Sequence, residues 1–260
     1  MEIKTNITTV TKEILMEQYN SQTIKEIVTQ NFRAASVFEK YSLDFCCKGG
    51  RTITDACKEK NLDPSPIFTE LQSLNNAADN TVQRFNQWSP DFLVSYIIEN
   101  HHAYIRQVIP SLLAHTRKVA SVHGERHPEM IRTADIFAVV ADEMMSHMHK
   151  EEQMLFPYIA ALFNSLQDKA PVPRSPFGSV SNPIAMMEQE HDAAGSMMYE
   201  IRELTNSYAL PDDACTTYRV TLQELKEFEH DLHQHVHLEN NILFPKAAQM
   251  EEILQSQQQN

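Results

Sequence analysis

One eleven-residue pattern occurs twice in this chain, and it restricts the fold more than any other feature. HMHKEEQMLFP begins at His147, and HVHLENNILFP begins at His235, 88 residues later. In each copy the histidine is followed, four residues on, by a glutamate, Glu151 or Glu239. Residues i and i+4 of an α-helix lie on the same face, so each copy presents an imidazole and a carboxylate together. The pattern predicts two helices that each carry half of a metal site.

A second repeated signal precedes each copy. ENHH ends at His102 and EQEH ends at His191, which are 45 and 44 residues before His147 and His235 respectively. The repeating unit therefore has the length of a helix pair, and two such pairs make an antiparallel four-helix bundle. All 12 histidines lie at or beyond position 101, so any metal chemistry belongs to the C-terminal part of the chain.

Helix signals extend this prediction to the rest of the chain. The chain has only 5 glycines among 260 residues, and this scarcity disfavours a turn-rich β architecture. The predicted fold class is therefore all-α, with a small helical domain before the bundle. We divide the chain into an N-terminal extension (1–20), a small helical domain (21–75), a linker (76–88) and the bundle (89–260). The predicted helices cover 23–30, 32–40, 52–60 and 66–74 in the small domain, and 90–122, 128–166, 183–208 and 211–250 in the bundle.

The four bundle helices together offer six candidate metal ligands: His102, His147, Glu151, His191, His235 and Glu239. Four imidazoles and two carboxylates suit two iron ions, each held by two histidines, with both carboxylates and a shared oxygen as bridges. A single zinc ion would need only three or four ligands. One histidine–glutamate pair alone is usually a solvated surface pair, but its duplication with the same trailing Leu-Phe-Pro favours a metal site.

Two acidic residues and two cysteines are further candidates. Glu143 lies one turn before His147, and Glu190 adjoins His191, so both are predicted to orient ligands or relay protons, with an ordinary surface acid as the alternative. Cys46 and Cys47 are adjacent and precede a pair of glycines that permits a tight turn, which places both thiols on a loop or helix edge. A thiol or redox role there would require exposure and a lowered pKa.

Charge and hydropathy exclude several classes of function. The net charge of −13 argues against a nucleic-acid surface or an anionic-membrane anchor, since both need clustered basic residues. Neither an apolar signal-peptide core nor a run of 18 apolar residues is evident, so no membrane association is expected. The four cysteines are too few and too unevenly spaced for a disulfide framework. These features favour a reducing, cytoplasmic location.

The motifs resemble those of the RIC proteins, the di-iron family for repair of iron centres. The bundle part matches through HHxxxR around His102, HMxKEExxLFP at His147, MExEHxxxG from Met187 and HxxLENNxLFP at His235. The N-terminal part is similar to that family's small cysteine-bearing domain through YSLDFCCKGG from Tyr41. The resemblance covers nearly the whole chain, and it implies a hemerythrin-like bundle with a non-haem di-iron centre.

That resemblance implies roles for individual residues. The four histidines of the candidate set would be terminal ligands, and the two glutamates would bridge the iron ions. It further implies repair of iron–sulfur clusters damaged by nitrosative or oxidative stress, by iron donation, nitric oxide reduction or both, with damaged iron–sulfur proteins as partners. The alternative is a hemerythrin-like sensor or binder of dioxygen or nitric oxide. Whether the protein is an enzyme, and whether it forms a homodimer, are left open.

Overall fold

The computed structural model describes residues 19, 21–76, 84–168 and 174–258. Throughout these ranges the regular structure is helical, and no strand is present, which confirms the predicted all-α class. The chain divides into two compact units, Met1–Trp88 and Ser89–Asn260. Of the predicted N-terminal extension, only Tyr19 lies within these ranges. Of the predicted linker (76–88), the described residues are Asn76, which ends a helix, and residues 84–88. None of the described helices is both long and apolar enough to cross a bilayer.

Over residues 21–76 and 84–88 the first unit has four short α-helices and one 3₁₀ turn. They are α1 (Ile24–Gln30), α2 (Ala34–Lys40), α3 (Ile53–Lys60), α4 (Ser65–Asn76) and the 3₁₀ turn Phe85–Gln87. Threonines at the caps begin two of the helices: the Thr23 side chain accepts from Glu26 N, and the Thr52 side chain accepts from Asp55 N. Phe85 is buried and packs edge-on against Phe32, so this part of the predicted linker belongs to the core of the first unit.

The loop that carries Cys46 and Cys47 is fastened to α1 by backbone hydrogen bonds. Ile24 N donates to Arg51 O and Lys25 N donates to Gly49 O, both at 2.9 Å. A Cβ on Gly49 would lie 2.3 Å from Phe45 O, whereas nothing lies within 4 Å of a Cβ on Gly50. The first glycine is thus required by close approach of the backbone, and the second is not.

The second unit is built from four long helical stretches, three of which contain a π-helical turn. Its α-helices are α5 (Pro90–Tyr96), α6 (Ala103–His123), α7 (Pro128–Lys150), α8 (Phe156–Asp168), α9 (Ser181–Leu204), α10 (Thr216–Leu238) and α11 (Phe244–Gln258). The π-helical turns are π1 (Ile97–His102), which joins α5 to α6, π2 (Glu151–Leu155), which joins α7 to α8, and π3 (Glu239–Leu243), which joins α10 to α11.

Helices α6, α7, α9 and α10 form a four-membered ring. Helix α6 packs against α7 and α10, and α9 packs against the same two helices. The start of α6 lies beside the end of α10, since the rings of His102 and His235 are 4.9 Å apart. Neighbouring helices therefore run antiparallel, and the unit is the predicted four-helix bundle.

The proline at the end of each repeated pattern coincides with a change in helix type. In π2 the amide of Phe156 donates to Glu151 O, and in π3 the amide of Phe244 donates to Glu239 O, five residues back in each case. The next residue in each copy is a proline, which has no amide hydrogen to continue the ladder. A single π turn at this point shifts the hydrogen-bond register by one residue, and such turns often occur at functional sites.

Three predicted helix ends differ from the structure by four residues or more. The last bundle stretch, predicted to end at residue 250, continues to Gln258. Helix α9 ends at Leu204, not at residue 208, because Asn206, Ser207 and Tyr208 adopt left-handed backbone angles, with φ of 48°, 59° and 61°. The last bundle stretch begins at Thr216 with Cys215 as its N-cap, not at Pro211. Pro211 instead accepts from Ala214 N in a turn, so its fixed φ serves that turn and does not open the helix.

Candidate metal centre

The bundle brings all six candidate ligands together in its interior. Each of their side chains is at most 1% exposed to solvent: His102, His147, Glu151, His191, His235 and Glu239. Their nitrogen and oxygen atoms form two overlapping groups, within each of which the atoms lie no more than 4.8 Å apart. We call these groups the His102 tetrad (His102, Glu151, His235, Glu239) and the His147 tetrad (His147, Glu151, His191, Glu239).

In the His102 tetrad the two imidazoles face each other. His102 Nε2 lies 3.2 Å from His235 Nε2 and 3.4 Å from Glu151 Oε2. His235 Nε2 is 3.0 Å from Glu239 Oε1, and the same oxygen is 3.9 Å from His102 Nε2. Four donor atoms from three helical stretches thus converge on one point.

The His147 tetrad has nearly the same dimensions. His147 Nε2 lies 3.0 Å from His191 Nε2 and 3.2 Å from Glu151 Oε2. His191 Nε2 is 3.1 Å from Glu239 Oε2. The repeat seen in the sequence is therefore a repeat in space, with one tetrad for each histidine pair and both glutamates common to the two tetrads.

These distances suit metal coordination. Two donor atoms about 2.1 Å from an ion and at right angles to each other are about 3.0 Å apart. The spacings from 3.0 to 3.4 Å within each tetrad are close to this value. Among the described residues neither carboxylate oxygen of Glu151 has a hydrogen-bond partner, although both are buried. A buried carboxylate without such partners is costly unless a cation neutralises it.

The electrostatics of the site favour ionised carboxylates. Burial acts to raise the pKa of Glu239, but His235 and His191 outweigh it and hold that pKa well below its usual range. Burial acts to lower the pKa of His147, but the Glu151 and Glu239 carboxylates raise it to about 9. The pKa of His235 is lowered, chiefly by burial. The pKa of His102 is raised as well, despite its burial, by Glu151 and Glu239. The cluster thus holds two ionised carboxylates whose charge is balanced in part by protons on His102 and His147, and a bound cation would take the place of those protons.

Three of the four ligand histidines donate their other ring nitrogen to an oxygen. His102 Nδ1 donates to Glu152 Oε1 at 2.7 Å, and His147 Nδ1 donates to Glu190 Oε2 at 2.9 Å. His191 Nδ1 donates to Asn240 Oδ1 at 2.8 Å. A hydrogen on Nδ1 leaves the lone pair on Nε2 free to bind a metal, and the bond fixes the orientation of the ring.

His235 is held in a different way. Its Nδ1 atom is buried and has no hydrogen-bond partner among the described residues. The ring of His101 stacks on it with centroids 5.7 Å apart and planes 5° from parallel, and His101 Nδ1 donates to Asp231 Oδ1 at 2.9 Å. His101 occupies the place in its repeat that Glu190 occupies in the other, since each directly precedes a ligand histidine. The two halves of the site therefore differ in the support of one imidazole.

The two acidic residues singled out from the sequence lie in different surroundings. Glu190 accepts from His147 and also pairs with Lys150. Glu143 is exposed on α7, and no hydrogen bond or ion pair is described for it. Glu190 is placed to orient a ligand, whereas Glu143 is not in contact with one.

Sequence reasoning missed Glu152 and Asn240, although the sequence contains a signal for them. Each directly follows a shared glutamate, and each accepts from the histidine of the upstream ExxH echo. A polar residue at this same position in both repeats was the available sign. Arg106 pairs with Glu152 and so balances its charge.

The two candidate cysteines lie in the first unit, on the loop between α2 and α3. Cys46 is buried and Cys47 is half-buried, and their sulfur atoms are 3.7 Å apart. The neighbouring Cys47 thiol, burial and Asp44 raise the pKa of Cys46 well above its ordinary value. Cys57 is buried, and Cys215 is exposed with its sulfur 3.2 Å from His123 Nε2.

Comparison with known proteins agrees with this architecture. The model described as "Hemerythrin HHE cation binding domain" matches residues 93–247, and one described as "Domain of Unknown function (DUF542)" matches residues 20–75. The iron-sulfur cluster repair protein YtfE of Yersinia pestis (strain Pestoides F) is 34% identical over 233 residues, which cover 90% of this chain and 99% of that protein. The iron-sulfur cluster repair protein ScdA of Staphylococcus haemolyticus (strain JCSC1435) is 34% identical over 229 residues, or 88% of this chain and 99% of that protein.

Proposed function

We propose, from the premise that this chain belongs to the family of iron-sulfur cluster repair proteins and carries their hemerythrin-type cation-binding domain, that it repairs damaged clusters with a two-iron centre. The six bundle residues would hold the irons: one ion in the His102 tetrad and one in the His147 tetrad. A cation-binding domain is shared with the family. The number and identity of the ions are our inference from the donor set.

One observation carries this proposal: both buried glutamates are shared between the tetrads. Glu151 Oε2 lies 3.4 Å from His102 and 3.2 Å from His147, so it faces one imidazole of each pair. Glu239 faces His235 through one oxygen and His191 through the other, at 3.0 and 3.1 Å. Carboxylates shared in this way suit two neighbouring ions, whereas a single ion would leave two imidazoles unused.

The chain's own residues orient and insulate this centre. Glu152, Glu190 and Asn240 accept from the Nδ1 atoms, which directs each Nε2 atom inward. Arg106 pairs with Glu152 and Lys150 pairs with Glu190, so the negative charge of each of these two carboxylates is balanced. Full burial of the six ligands excludes bulk water. A bound iron pair would supply one-electron redox chemistry and open positions for nitric oxide or dioxygen.

The damage repaired is that caused by nitrosative or oxidative stress, and the targets are damaged iron–sulfur proteins. Iron donation and nitric oxide reduction are both compatible with a buried iron pair. Cys47, the half-buried thiol, would assist by receiving iron, with Cys46 beside it as a second sulfur ligand. Burial and the raised pKa of Cys46 argue against an independent redox role for that thiol. The four free cysteines fit the reducing cytoplasm that we predict as the site of action.

The stoichiometry can be tested on the full-length protein. Anaerobic loading with ⁵⁷Fe²⁺ of the full-length variant Cys46→Ser with Cys47→Ser, which keeps all six bundle ligands, should give about two irons per chain after gel filtration, and Mössbauer spectroscopy should show the signature of a coupled pair. Saturation at one iron per chain, or uncoupled sites, would contradict the two-iron assignment.

The chemistry can be tested with the parent protein, loaded with ⁵⁷Fe in the same way. Incubation with a nitric oxide-damaged [4Fe–4S] protein should restore that protein's cluster absorption. Transfer of ⁵⁷Fe into the restored cluster indicates iron donation, and nitrous oxide release from the reduced protein and nitric oxide indicates reduction. A stable nitrosyl adduct with neither outcome would favour the alternative of a gas sensor.

A further inference from the structure

The first unit contains a second cluster of metal-binding side chains, on the loop that joins α2 to α3. Asp44, Cys46 and Cys47 each place one carboxylate or sulfur atom within 4.8 Å of the others. The three side chains come from a four-residue stretch of one loop, and none belongs to the tetrads of the bundle. We propose that these three side chains bind one divalent cation of the iron–zinc class.

Interatomic distances within this cluster support the proposal. In a tetrahedral site with sulfur about 2.3 Å and oxygen about 2.0 Å from the ion, two sulfurs are about 3.8 Å apart and a sulfur and an oxygen about 3.5 Å apart. The Cys46 and Cys47 sulfurs are 3.7 Å apart, and Cys46 Sγ is 3.3 Å from Asp44 Oδ1. These two distances are close to those that ligands of one ion require, and the third pair, the Cys47 sulfur and an Asp44 carboxylate oxygen, lies within 4.8 Å.

The loop is held in this arrangement by its own hydrogen bonds. Asp44 Oδ1 accepts from the backbone amides of Cys46 and Cys47, at 3.0 and 2.9 Å. Backbone hydrogen bonds also fix the two ends of the loop: Leu43 N donates to Phe38 O at one end, and Lys25 N donates to Gly49 O at the other. A site whose ligands are fixed before binding loses little conformational freedom when the ion enters.

The donor atoms and their exposure indicate the class of ion. Two thiolates favour zinc, ferrous iron or other soft cations, and a carboxylate favours the divalent members of that group over Cu⁺. Asp44 and Cys47 are half-buried, so solvent or a ligand from another molecule can occupy the fourth position. A three-ligand site with an open fourth position suits an ion that is passed on, since structural zinc sites use four protein ligands.

The proposal can be tested with Co²⁺ on the full-length, reduced protein. Bonding of a thiolate to Co²⁺ gives a near-ultraviolet charge-transfer band that histidine and carboxylate ligands do not produce, so the bundle is silent in this measurement. Titration should give a band that saturates at one equivalent of thiolate-bound Co²⁺. The double variant Cys46→Ser with Cys47→Ser should lose it, and Cys57→Ser and Cys215→Ser should keep it.

Asp44 needs a separate variant because it also shapes the loop. Asn at this position retains an oxygen that can accept from both amides but removes the charge, so Asp44→Asn should keep the fold and weaken Co²⁺ binding by about 10-fold or more. Circular dichroism and protection of the buried Cys57 thiol from a thiol reagent report whether the first unit of each variant is folded. Absence of the band in the parent protein, or its persistence in the double variant, would overturn the site, and unchanged affinity in Asp44→Asn would overturn the role of Asp44. None of these outcomes depends on the two-iron proposal, because the cysteine loop lies in a different unit.

Discussion

Glu151 and Glu239 are both fully buried, and each faces two imidazoles, one from the His102 tetrad and one from the His147 tetrad. Each lies four residues after one ligand histidine on the same helical stretch and reaches across the bundle to a histidine on another. The two glutamates thereby connect the four helical stretches through one cluster of polar side chains. In a largely apolar core such a cluster is costly, and a bound cation would lower that cost by balancing the two carboxylates.

Removing one shared carboxylate should abolish the stabilisation that metal provides. We expect iron to raise the thermal midpoint of the parent protein by about 5–10 °C at saturating concentration, since iron binds only the folded site. In Glu239→Leu the iron bound by the bundle should fall below one ion per chain, and most of this increase should be lost. Metal analysis and calorimetry with and without iron measure both effects.

The control for this variant is Glu252→Leu, which removes an exposed carboxylate from the same helical stretch. It should retain the parent iron content and the parent increase in midpoint. Parent-like iron loading of Glu239→Leu would contradict the shared role of Glu239.

The partners of the Nδ1 atoms should tune metal affinity without changing its stoichiometry. Glu152 and Glu190 each accept from a ligand histidine, and loss of such a partner commonly lowers metal affinity by about 10–100-fold. We expect effects of this size for Glu152→Ala and Glu190→Ala, which remove the acceptor, in a competition assay with a chromogenic chelator. Glu143→Ala, an exposed change on the same helix as His147, should alter affinity by less than about two-fold. A comparable loss in Glu143→Ala would restore that residue to the site.

The paired glycines after the cysteines should differ sharply in their tolerance of alanine. A Cβ on Gly49 would lie 2.3 Å from Phe45 O, and that backbone atom cannot move without displacing the cysteine loop. Gly49→Ala should therefore cost about 1–3 kcal/mol and make Cys46 more reactive towards a thiol reagent under native conditions. Gly50→Ala should be within about 0.5 kcal/mol of the parent and leave Cys46 protected. Equal labelling of the two variants would show that the close approach does not constrain the loop.

A pH dependence of stability is expected at the turn between α6 and α7. Hydrogen bonds to Asp213 and Glu129 raise the pKa of His127 above its ordinary 6.5. A raised pKa in the folded state means that the pair stabilises fully below pH 6.5 and loses its effect as the pH rises through the folded value. Because Asp213 is exposed and His127 is half-buried, solvent weakens their interaction. We expect His127→Gln to lower the thermal midpoint by about 1–2 °C at pH 5.5 to 6 and less at higher pH. Asp213→Asn should reproduce this trend, and a difference that grows with pH would contradict it.

Most of the site could be predicted from the sequence because its ligands follow helical periodicity. Residues four apart on a helix must share a face, so the pairing of His147 with Glu151 and of His235 with Glu239 was implied by spacing alone. The ends of the helices were harder to predict where the backbone adopts uncommon dihedral angles. Three consecutive left-handed residues after α9, and a turn at Pro211 in place of a helix start, depend on contacts that no local pattern specifies.

The support of each imidazole was decided only by the tertiary structure. Glu152 and Asn240 reach histidines 50 and 49 residues away, and His101 stacks on a ring from a helix at the other end of the unit's sequence. Such partners are set by how helices pack and rotate against one another, which depends on side chains along their whole length. The sequence by itself determined an all-α chain, a duplicated helix pair and the chemical types of six inward residues. Packing decided that the glutamates are shared, which ligand imidazole has no hydrogen-bond partner at Nδ1 among the described residues, and that Asp44 lies beside the two thiols.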